Sequence, residues 1–390
     1  MSEHLYIHIP FCLKKCRYCD FYSVEAGVVP RNFTDTLVRE IRIRAQAGPE
    51  NAPVSTVYFG GGTPSLMPLK DLALILGTLH EHYSLAEHAE ITLEANPGTV
   101  ETGYFKGIRS LGINRLSLGI QSFDPERLRF LGRIHSAAQA VAAIEQARNA
   151  GFDNIGLDLI FGLPEEPATV WGKEMKTALS FFPAHLSCYM LSLEPGTPLH
   201  RLAQSDRFKP MPPEEQVARF CETSDFLEQA GFQHYEISNF ARSRQEISRH
   251  NSAYWQMVPY DGFGPSAHSF GPSPRKGHSV VRSWNLSDLD LYMRRLNGGQ
   301  LPVEEAEELS AAQQMAELVM VGLRTRDGIA LDRFDALSTV PFARRFAPLI
   351  NDIQTQELGL MDERHRRFAL TLDGWACLDS IVETFVRDIL

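Results

Sequence analysis

Long apolar runs and an excess of basic residues are both missing from this 390-residue sequence. No stretch approaches the roughly 20 apolar residues that a membrane-spanning helix needs. The segment before Cys12 also lacks the basic start and long apolar stretch of a secretory signal. The formal net charge of −10 disfavours nucleic acid as the main partner, because phosphate binding requires a clustered basic surface. We therefore expect a cytoplasmic protein that does not bind nucleic acid.

Cysteine is scarce, with six residues in the chain. In a reducing compartment such cysteines are thiols or metal ligands rather than disulfides. Three of them lie within eight residues near the N-terminus, and the other three are isolated. We predict that the isolated ones are small core residues: Cys188, Cys221 and Cys377.

Short β-branched runs alternate with longer amphipathic stretches up to about residue 240. This alternation predicts parallel strands joined by helical crossovers. The predicted strands are 5–10, 55–60, 90–97, 115–121, 154–162, 185–192 and 234–240. The predicted helices include 32–46, 137–150 and 214–229. Polar residues follow several strand ends, where parallel α/β folds bind ligands, so an α/β fold with a partial (β/α) barrel fits better than an open sheet.

The pattern changes after residue 240, which predicts a barrel domain over 1–240 and a smaller C-terminal α+β domain over 241–390. Residues 241–285 are rich in Gly, Pro, Ser and aromatics, and we predict irregular structure there. A long helix is predicted over 304–324, then shorter helices to about residue 357. A hairpin of 358–361 and 367–372, followed by a last helix from Asp373, gives a winged-helix-like arrangement.

Cys12, Cys16 and Cys19 have the spacing C-x3-C-x2-C directly after the first predicted strand. Three thiolates can bind three irons of a [4Fe–4S] cubane, which leaves the fourth iron open to a small molecule. Nearby basic residues would offset the thiolate charge: Lys14, Lys15 and Arg17. The alternative is a structural zinc site, which needs a fourth ligand. Three residues could supply that ligand: Asp20, His4 and His8.

A run of three glycines, from Gly60 through Gly62 to Thr63, follows the second predicted strand. Glycines permit positive φ angles and let the backbone approach a ligand closely, although a plain turn would have the same composition. Polar residues also lie where later predicted strands end: Glu94, Gln121 and Asp158, with Arg133 twelve residues after Gln121. A guanidinium pairs bidentately with a carboxylate, so Arg133 suits a ligand that carries one.

Together these motifs resemble those of the radical S-adenosylmethionine (SAM) superfamily, at least over residues 6–158. The resemblance implies a [4Fe–4S] cluster on Cys12, Cys16 and Cys19, with SAM bound at the open iron. It also implies that the reduced cluster can cleave SAM to a 5′-deoxyadenosyl radical. The residues that it assigns to SAM binding are Tyr6, Tyr18, Gly61, Gly62, Thr63, Glu94, Gln121, Arg133 and Asp158.

Within the superfamily, segments 7–12, 18–21, 156–164 and 370–374 resemble the oxygen-independent coproporphyrinogen III oxidases and the related HemW-type haem chaperones. Three features favour the chaperones. The oxidases carry a further cysteine two residues after the third ligand, where this sequence has Phe21. They also have an N-terminal extension, whereas eleven residues precede Cys12 here. Finally, residues 250–255 match the HNxxYW motif associated with haem binding in the chaperones: His250, Tyr254 and Trp255.

The residues of that motif have suitable chemistry for haem. Histidine is a standard axial ligand of haem iron, and Tyr254 and Trp255 offer flat apolar surfaces to a porphyrin. The same residues could instead cap and pack a junction between domains. The motif does not single out His250 as the ligand, because His268 and His278 lie in the same segment.

The resemblance implies a haem chaperone that binds haem and transfers it to an acceptor protein, with a [4Fe–4S] cluster, SAM and haem as cofactors. The alternative is an oxidase of porphyrin biosynthesis that oxidatively decarboxylates coproporphyrinogen III. Whether the chain is an enzyme stays open: SAM cleavage is compatible with the site, whereas oxidase activity is not expected. The acceptor and the electron donor are unidentified, and a homodimer and a peripheral association with membranes are left open.

A third hypothesis is nucleic-acid binding through the C-terminal winged-helix-like part. It rests on one short basic run in the predicted hairpin, residues 364–367. Such a run is usually a solvated turn, so we do not expect this function.

Overall fold

The computed structural model describes residues 3–47, 53–273 and 280–390. The chain forms two compact units. Unit 1 comprises residues 1–212, 259–271 and 282–306, and unit 2 comprises residues 213–258, 272–281 and 307–390. This grouping differs from the predicted single boundary at residue 240, because the chain returns to unit 1 after residue 258.

Strands and helices alternate over the first 212 residues. The strands are β1 (His4–Ile9), β2 (Phe11–Cys12), β3 (Val24–Glu25), β4 (Val54–Gly61), β5 (Leu85–Ala95), β6 (Arg115–Gln121), β7 (Asn154–Phe161) and β8 (His185–Met190). The helices are α1 (Arg31–Ala47), α2 (Leu69–His82), α3 (Tyr104–Ser110), α4 (Pro125–Leu131), α5 (Ala137–Asn149), α6 (Ala168–Ser180) and α7 (Pro198–Gln204). All six strands predicted for this region are present, and β6 has the predicted bounds.

Among the residues described from 213 onward, the elements follow one another without a long irregular stretch. They are α8 (Pro213–Gln229), β9 (Gln233–Glu236), β10 (Asn239–Ala241), α9 (Arg249–Trp255), β11 (Tyr260–Phe263), β12 (His268–Pro272), β13 (Val280–Asn285), α10 (Leu289–Asn297) and β14 (Val303–Leu309). The last are α11 (Ala311–Gly322), β15 (Ile329–Ala330), α12 (Leu331–Asp335), α13 (Phe342–Arg345), α14 (Ala347–Thr355), β16 (Gly359–Asp362), β17 (Arg367–Leu370), α15 (Leu372–Ala376) and α16 (Leu378–Ile389). None of the helices in the described residues is both long and apolar enough to cross a membrane.

The sheet of unit 1 is built around parallel strands. β1 and β4 to β8 lie side by side in chain order, each parallel to the next. The carboxyl ends of these strands therefore share one rim. β4 and β7 are buried along most of their length on both faces, which explains why their sequences are nearly continuous apolar runs.

Residues 259–306 extend the same sheet on the other side of β1, in the order β11, β12, β13 and β14. β11 is parallel to β1, and β12 is antiparallel to β11. The prediction of irregular structure over 241–285 is therefore wrong, since β11, β12, β13 and α9 occupy much of that segment. His278 lies outside the described residues.

Two further predictions of secondary structure are wrong in part. The helix predicted over 304–324 begins only at Ala311, because Ser310 and Gln313 form a reciprocal capping box at its start. The preceding glutamate-rich segment is β14, and charged side chains suit such an edge strand. The single strand predicted over 234–240 is an antiparallel pair, β9 and β10.

A buried carboxylate ties this returning segment to α1. Glu40 is fully buried and accepts hydrogen bonds from Gly264 N at 2.9 Å, Asn285 Nδ2 at 2.7 Å and Tyr292 Oη at 2.6 Å. Arg44 Nε pairs with the same carboxylate at 2.9 Å. These bonds compensate the burial of the charge.

Unit 2 contains the predicted hairpin, β16 and β17, which pairs with β15 in a three-stranded antiparallel sheet. Aromatic side chains fill its core, including Phe334, Phe342, Phe368 and Phe385.

The three isolated cysteines differ in burial: Cys188 is buried as predicted, but Cys221 is only half-buried and Cys377 is exposed. The prediction of a core position is therefore wrong for Cys377.

Candidate cofactor site

The cysteine loop begins where β1 ends, and hydrogen bonds join its two ends. Cys12 lies at the end of β2, which pairs with β3, and Ala26 N donates to Cys12 O at 2.8 Å. Lys15 closes the loop further, since its backbone N bonds Glu25 Oε1 and its Nζ bonds Phe21 O, both at 2.8 Å. The three cysteines line one cavity of about 380 Å³ at the rim of the parallel strands, which we call the rim cavity.

Two of the sulfur atoms accept hydrogen bonds from residues outside the loop. Arg133 Nη1 donates to Cys16 Sγ at 3.1 Å, and Thr63 Oγ1 donates to Cys12 Sγ at 3.4 Å. Donors aimed at sulfur favour the thiolate form that binds iron, and they are typical of iron–sulfur sites. Burial raises the pKa of the Cys19 thiol to about 11, so iron must displace its proton. Within the described ranges, no three His, Cys, Asp or Glu side chains are grouped to hold a single metal ion.

The glycine run lies so close to β1 and to the start of the cysteine loop that there is no room for side chains. Gly61 has φ of +110°, and a Cβ there would lie 2.6 Å from the His8 ring. At Gly62 a Cβ would lie 2.8 Å from the carbonyl oxygen of Phe11. Side chains at these positions would therefore push the run away from the cysteine loop. Both glycines and Thr63 line the rim cavity.

Glu94 lies at the carboxyl end of β5 and lines the rim cavity. Tyr58 Oη donates to Glu94 Oε1 at 2.7 Å, and the Tyr6 ring stacks on Tyr58 with centroids 6.2 Å apart. Burial raises the pKa of Glu94 to about 7, and the nearby Asp158 adds to the shift. This carboxylate is well placed for a cationic group, because such a group would offset the cost of burying its charge.

Gln121 and Arg133 contribute polar groups that lack protein partners. Gln121 adopts a left-handed φ of +65°, a strained conformation for a non-glycine residue. Its buried Oε1 has no hydrogen-bond partner in the part of the chain that the structure describes, and neither has the buried Nε of Arg133. Arg133 Nη2 donates to Gly119 O at 2.8 Å. Unsatisfied buried polar groups in a cavity fit a polar ligand that would satisfy them.

Asp158 lies on β7 at the floor of the same cavity. Ser117 Oγ, on the neighbouring strand β6, lies 3.0 and 3.1 Å from its two carboxylate oxygens. Burial raises the pKa of Asp158, while the bonds to Ser187 and Ser117 oppose that rise.

The rim cavity brings together all the sequence-predicted cluster and SAM residues except Tyr6, which lies behind Tyr58 and Gly60. The sequence reasoning did not identify several other residues that line it: Asn96, Ser117, Gly119, Tyr189, Met190 and Ser192. Alternation along β6 could have identified two of them, since positions 117, 119 and 121 share one face of a strand.

The predicted haem residues lie in unit 2, on α9. His250 is 1% exposed, and its Nε2 lies 2.8 Å from Tyr254 Oη. Trp255 packs against the Arg324 guanidinium, whose Cζ lies 5.2 Å from the ring centroid. Their assignment to haem stays a prediction.

Similarity to known proteins agrees with this geometry. Residues 6–171 match the model of the radical SAM superfamily, and residues 309–377 match that of the HemN C-terminal domain. A protein of Synechocystis sp. named haem chaperone HemW is 35% identical, over 90% of this chain and 84% of its own length. The protein of that name from Bacillus subtilis is 31% identical, over 98% and 99% respectively.

Among solved structures, the coproporphyrinogen III oxidase HemN of Escherichia coli, described as a radical SAM enzyme, matches with a TM-score of 0.79. The match has 24% sequence identity and covers 98% of this chain and 89% of that one. At this sequence identity the match is evidence for the fold alone, and it confirms the predicted α/β fold of radical SAM type. The nearly full-length relatives, together with the superfamily match over residues 6–171, show that the chain belongs to the radical SAM superfamily and, within it, to the family of HemW-type haem chaperones.

Proposed function

We propose that this chain is a haem chaperone that carries a [4Fe–4S] cluster and SAM in the rim cavity. The observation that supports this most is its likeness, over nearly the whole length, to proteins named haem chaperone HemW. Phe21 agrees with it, because this residue stands where the oxidases carry a further cysteine, and its side chain is 67% exposed.

In this proposal Cys12, Cys16 and Cys19 hold the cluster, and Arg133 and Thr63 donate hydrogen bonds to its sulfur ligands. Glu94, which lines the cavity together with the glycine run, would accept hydrogen bonds from the ammonium group of SAM. When bound, the cluster and SAM together supply one-electron chemistry at the sulfonium.

Gln121 and Asp158 would orient the rest of SAM through their side-chain oxygens, and Tyr18 lines the cavity from within the cysteine loop. We further propose that haem is bound elsewhere on the chain and passed to an acceptor protein in the cytoplasm.

A paired assay distinguishes this function from that of an oxidase. Anaerobically reconstituted protein is incubated with coproporphyrinogen III, reductant and SAM, and separately titrated with haemin. We expect no protoporphyrinogen IX and a haem Soret band in the difference spectrum that survives gel filtration. Cys16→Ala serves as the control for any product that requires the cluster. Cluster-dependent formation of protoporphyrinogen IX would instead assign the chain to the oxidases.

A further inference from the structure

His250 is held in a place from which it cannot reach an iron ion without rearrangement. Its ring is buried, its Nε2 lies within hydrogen-bond distance of Tyr254 Oη, and the two rings meet edge to face with centroids 5.0 Å apart. An axial ligand must direct a free nitrogen lone pair at the iron. To do so, His250 would have to give up this bond and leave its buried position.

His268, unlike the buried His250, is exposed to solvent. It is the first residue of β12, its side chain is exposed, and its ring stacks on Trp284 of β13 with centroids 5.7 Å apart and planes at 29°. Neither ring nitrogen has a hydrogen-bond partner among the residues described. Partial burial and the nearby charge of Arg282 lower the pKa of His268, which favours the neutral imidazole that metals bind.

Two glycines on and after β11 let this segment pack closely between β12, which carries His268, and β1. At Gly262 a Cβ would lie 2.0 Å from the carbonyl oxygen of His268, and at Gly264 one would lie 2.4 Å from the carbonyl oxygen of His8. The chain can pass this closely to both neighbours only because these positions lack side chains. His268 is therefore separated from β1, the strand that leads into the cysteine loop, by β11.

His8 links this location to the loop itself. Its Nε2 lies 3.0 Å from Tyr22 O and must donate to that carbonyl, so its Nδ1 accepts from Tyr6 Oη at 3.1 Å. Tyr22 follows the last cysteine of the loop by three residues. His8 thus fixes the far end of the loop. Burial lowers the pKa of His8, and the nearby His268 adds to this shift.

We propose that His268, oriented by Trp284, is the side chain that ligates haem iron, in place of His250. The proposal rests on the proposed haem-chaperone function and assigns its ligand. An exposed ligand suits a protein that must release its haem, because an acceptor can approach the iron without opening a buried pocket. The indole of Trp284 holds the imidazole plane, which pre-organises the ligand at small entropic cost.

The test replaces each histidine by a ligand with a different spectroscopic signature. Wild type, His268→Cys, His268→Ala and His250→Cys are reconstituted with the cluster, checked for equal iron content and circular dichroism, and titrated with haemin. Absorption and electron paramagnetic resonance spectra of ferric haem are recorded as differences from the haem-free protein. We expect an imidazole-type spectrum for wild type and His250→Cys. His268→Cys should give a thiolate-type spectrum, and His268→Ala should bind haemin at least tenfold more weakly.

Failure of this proposal looks different from failure of the proposed function. If wild type binds haemin but His268→Cys keeps its spectrum, His268 is not the ligand, whatever His250→Cys shows. If wild type itself gives no haem spectrum, the chaperone function and the ligand assignment both fall.

Discussion

The carboxyl group of Glu94 titrates far from its ordinary range because it is buried beside Tyr58 and near Asp158. Its pKa of about 7 exceeds the ordinary 4.5, so between these values the folded chain holds a proton that the unfolded chain has lost. The contribution of Glu94 to stability is therefore present at low pH and is lost as the pH rises through 7.

We expect the cofactor-free protein to lose on the order of 2 kcal/mol of unfolding free energy between pH 5 and 8 through Glu94. Glu94→Gln should remove this part of the pH dependence, because an amide does not titrate. Urea unfolding at both pH values measures the effect, with the exposed Glu145→Gln on α5 as control. An unchanged pH dependence in Glu94→Gln would show that the carboxyl is ionised throughout.

Arg133 contacts a sulfur ligand, which the sequence did not reveal. It was predicted to suit a carboxylate, whereas the structure shows its Nη1 bonded to Cys16 Sγ and its Nη2 to Gly119 O. A cationic donor at a sulfur ligand stabilises the more negative, reduced state of a cluster.

We therefore expect Arg133→Ala to make the reduction potential of the reconstituted cluster more negative. A redox titration followed by electron paramagnetic resonance measures this, and Arg129→Ala, an exposed position on α4, is the control. Equal midpoint potentials in the two variants would mean that the Arg133–Cys16 contact does not tune the cluster.

Single residues at strand ends were largely predictable, because parallel strands bring their carboxyl ends to one rim whatever their sequence separation. The contact between Ser117 and Asp158, at 3.0 Å, was not predictable, although alternation along β6 places Ser117 on the same face as Gln121. A serine in a strand carries no distinctive signal, and its partner becomes known only once β6 and β7 are placed side by side.

At the level of whole elements, the predictions succeed where periodicity is local and strong. They fail over 241–285 and 304–309, where short strands join a sheet through contacts with β1 and with one another. The start of α11 was within reach, since Ser310 and Gln313 have the spacing of a capping box. The partners of β11 were not, because β1 lies about 250 residues earlier in the chain.

The contact between α1 and the returning segment predicts a large effect of one side chain. Removing the carboxylate in Glu40→Ala strands the Arg44 charge and leaves the donors of Asn285, Tyr292 and Gly264 without their acceptor. We expect a loss of roughly 3–5 kcal/mol in unfolding free energy.

Chemical denaturation of Glu40→Ala measures this loss. The exposed Asp35→Ala on the same helix should change stability by less than about 0.5 kcal/mol. Similar losses in both variants would contradict a specific role for the Glu40 contacts.

At the scale of the whole molecule, the charge of the chain does not favour binding to a polyanion such as DNA. Its net charge is −10, and the basic run of the hairpin is largely neutralised within unit 2. Arg366 pairs with Asp332 and Asp335, His365 pairs with Asp362, and Arg367 donates to the carbonyls of Asp327 and Gly328.

We accordingly expect no retention of the full-length protein on a DNA column at about 0.15 M salt. Arg366→Ala should elute as wild type does. Strong retention that falls steeply with salt and is lost in Arg366→Ala would reinstate the nucleic-acid hypothesis.

The returning segment also determines where the polypeptide can be shortened. β1 is flanked by β4 and, through residues 260–263, by β11. A fragment ending at residue 240 would lack β11, so the backbone amides and carbonyls on that side of β1 would have no strand to pair with. Such a bare strand recruits other chains, so truncated material would aggregate before any iron could be loaded. Expression of a minimal cofactor-binding portion must therefore retain the sequence through residue 306.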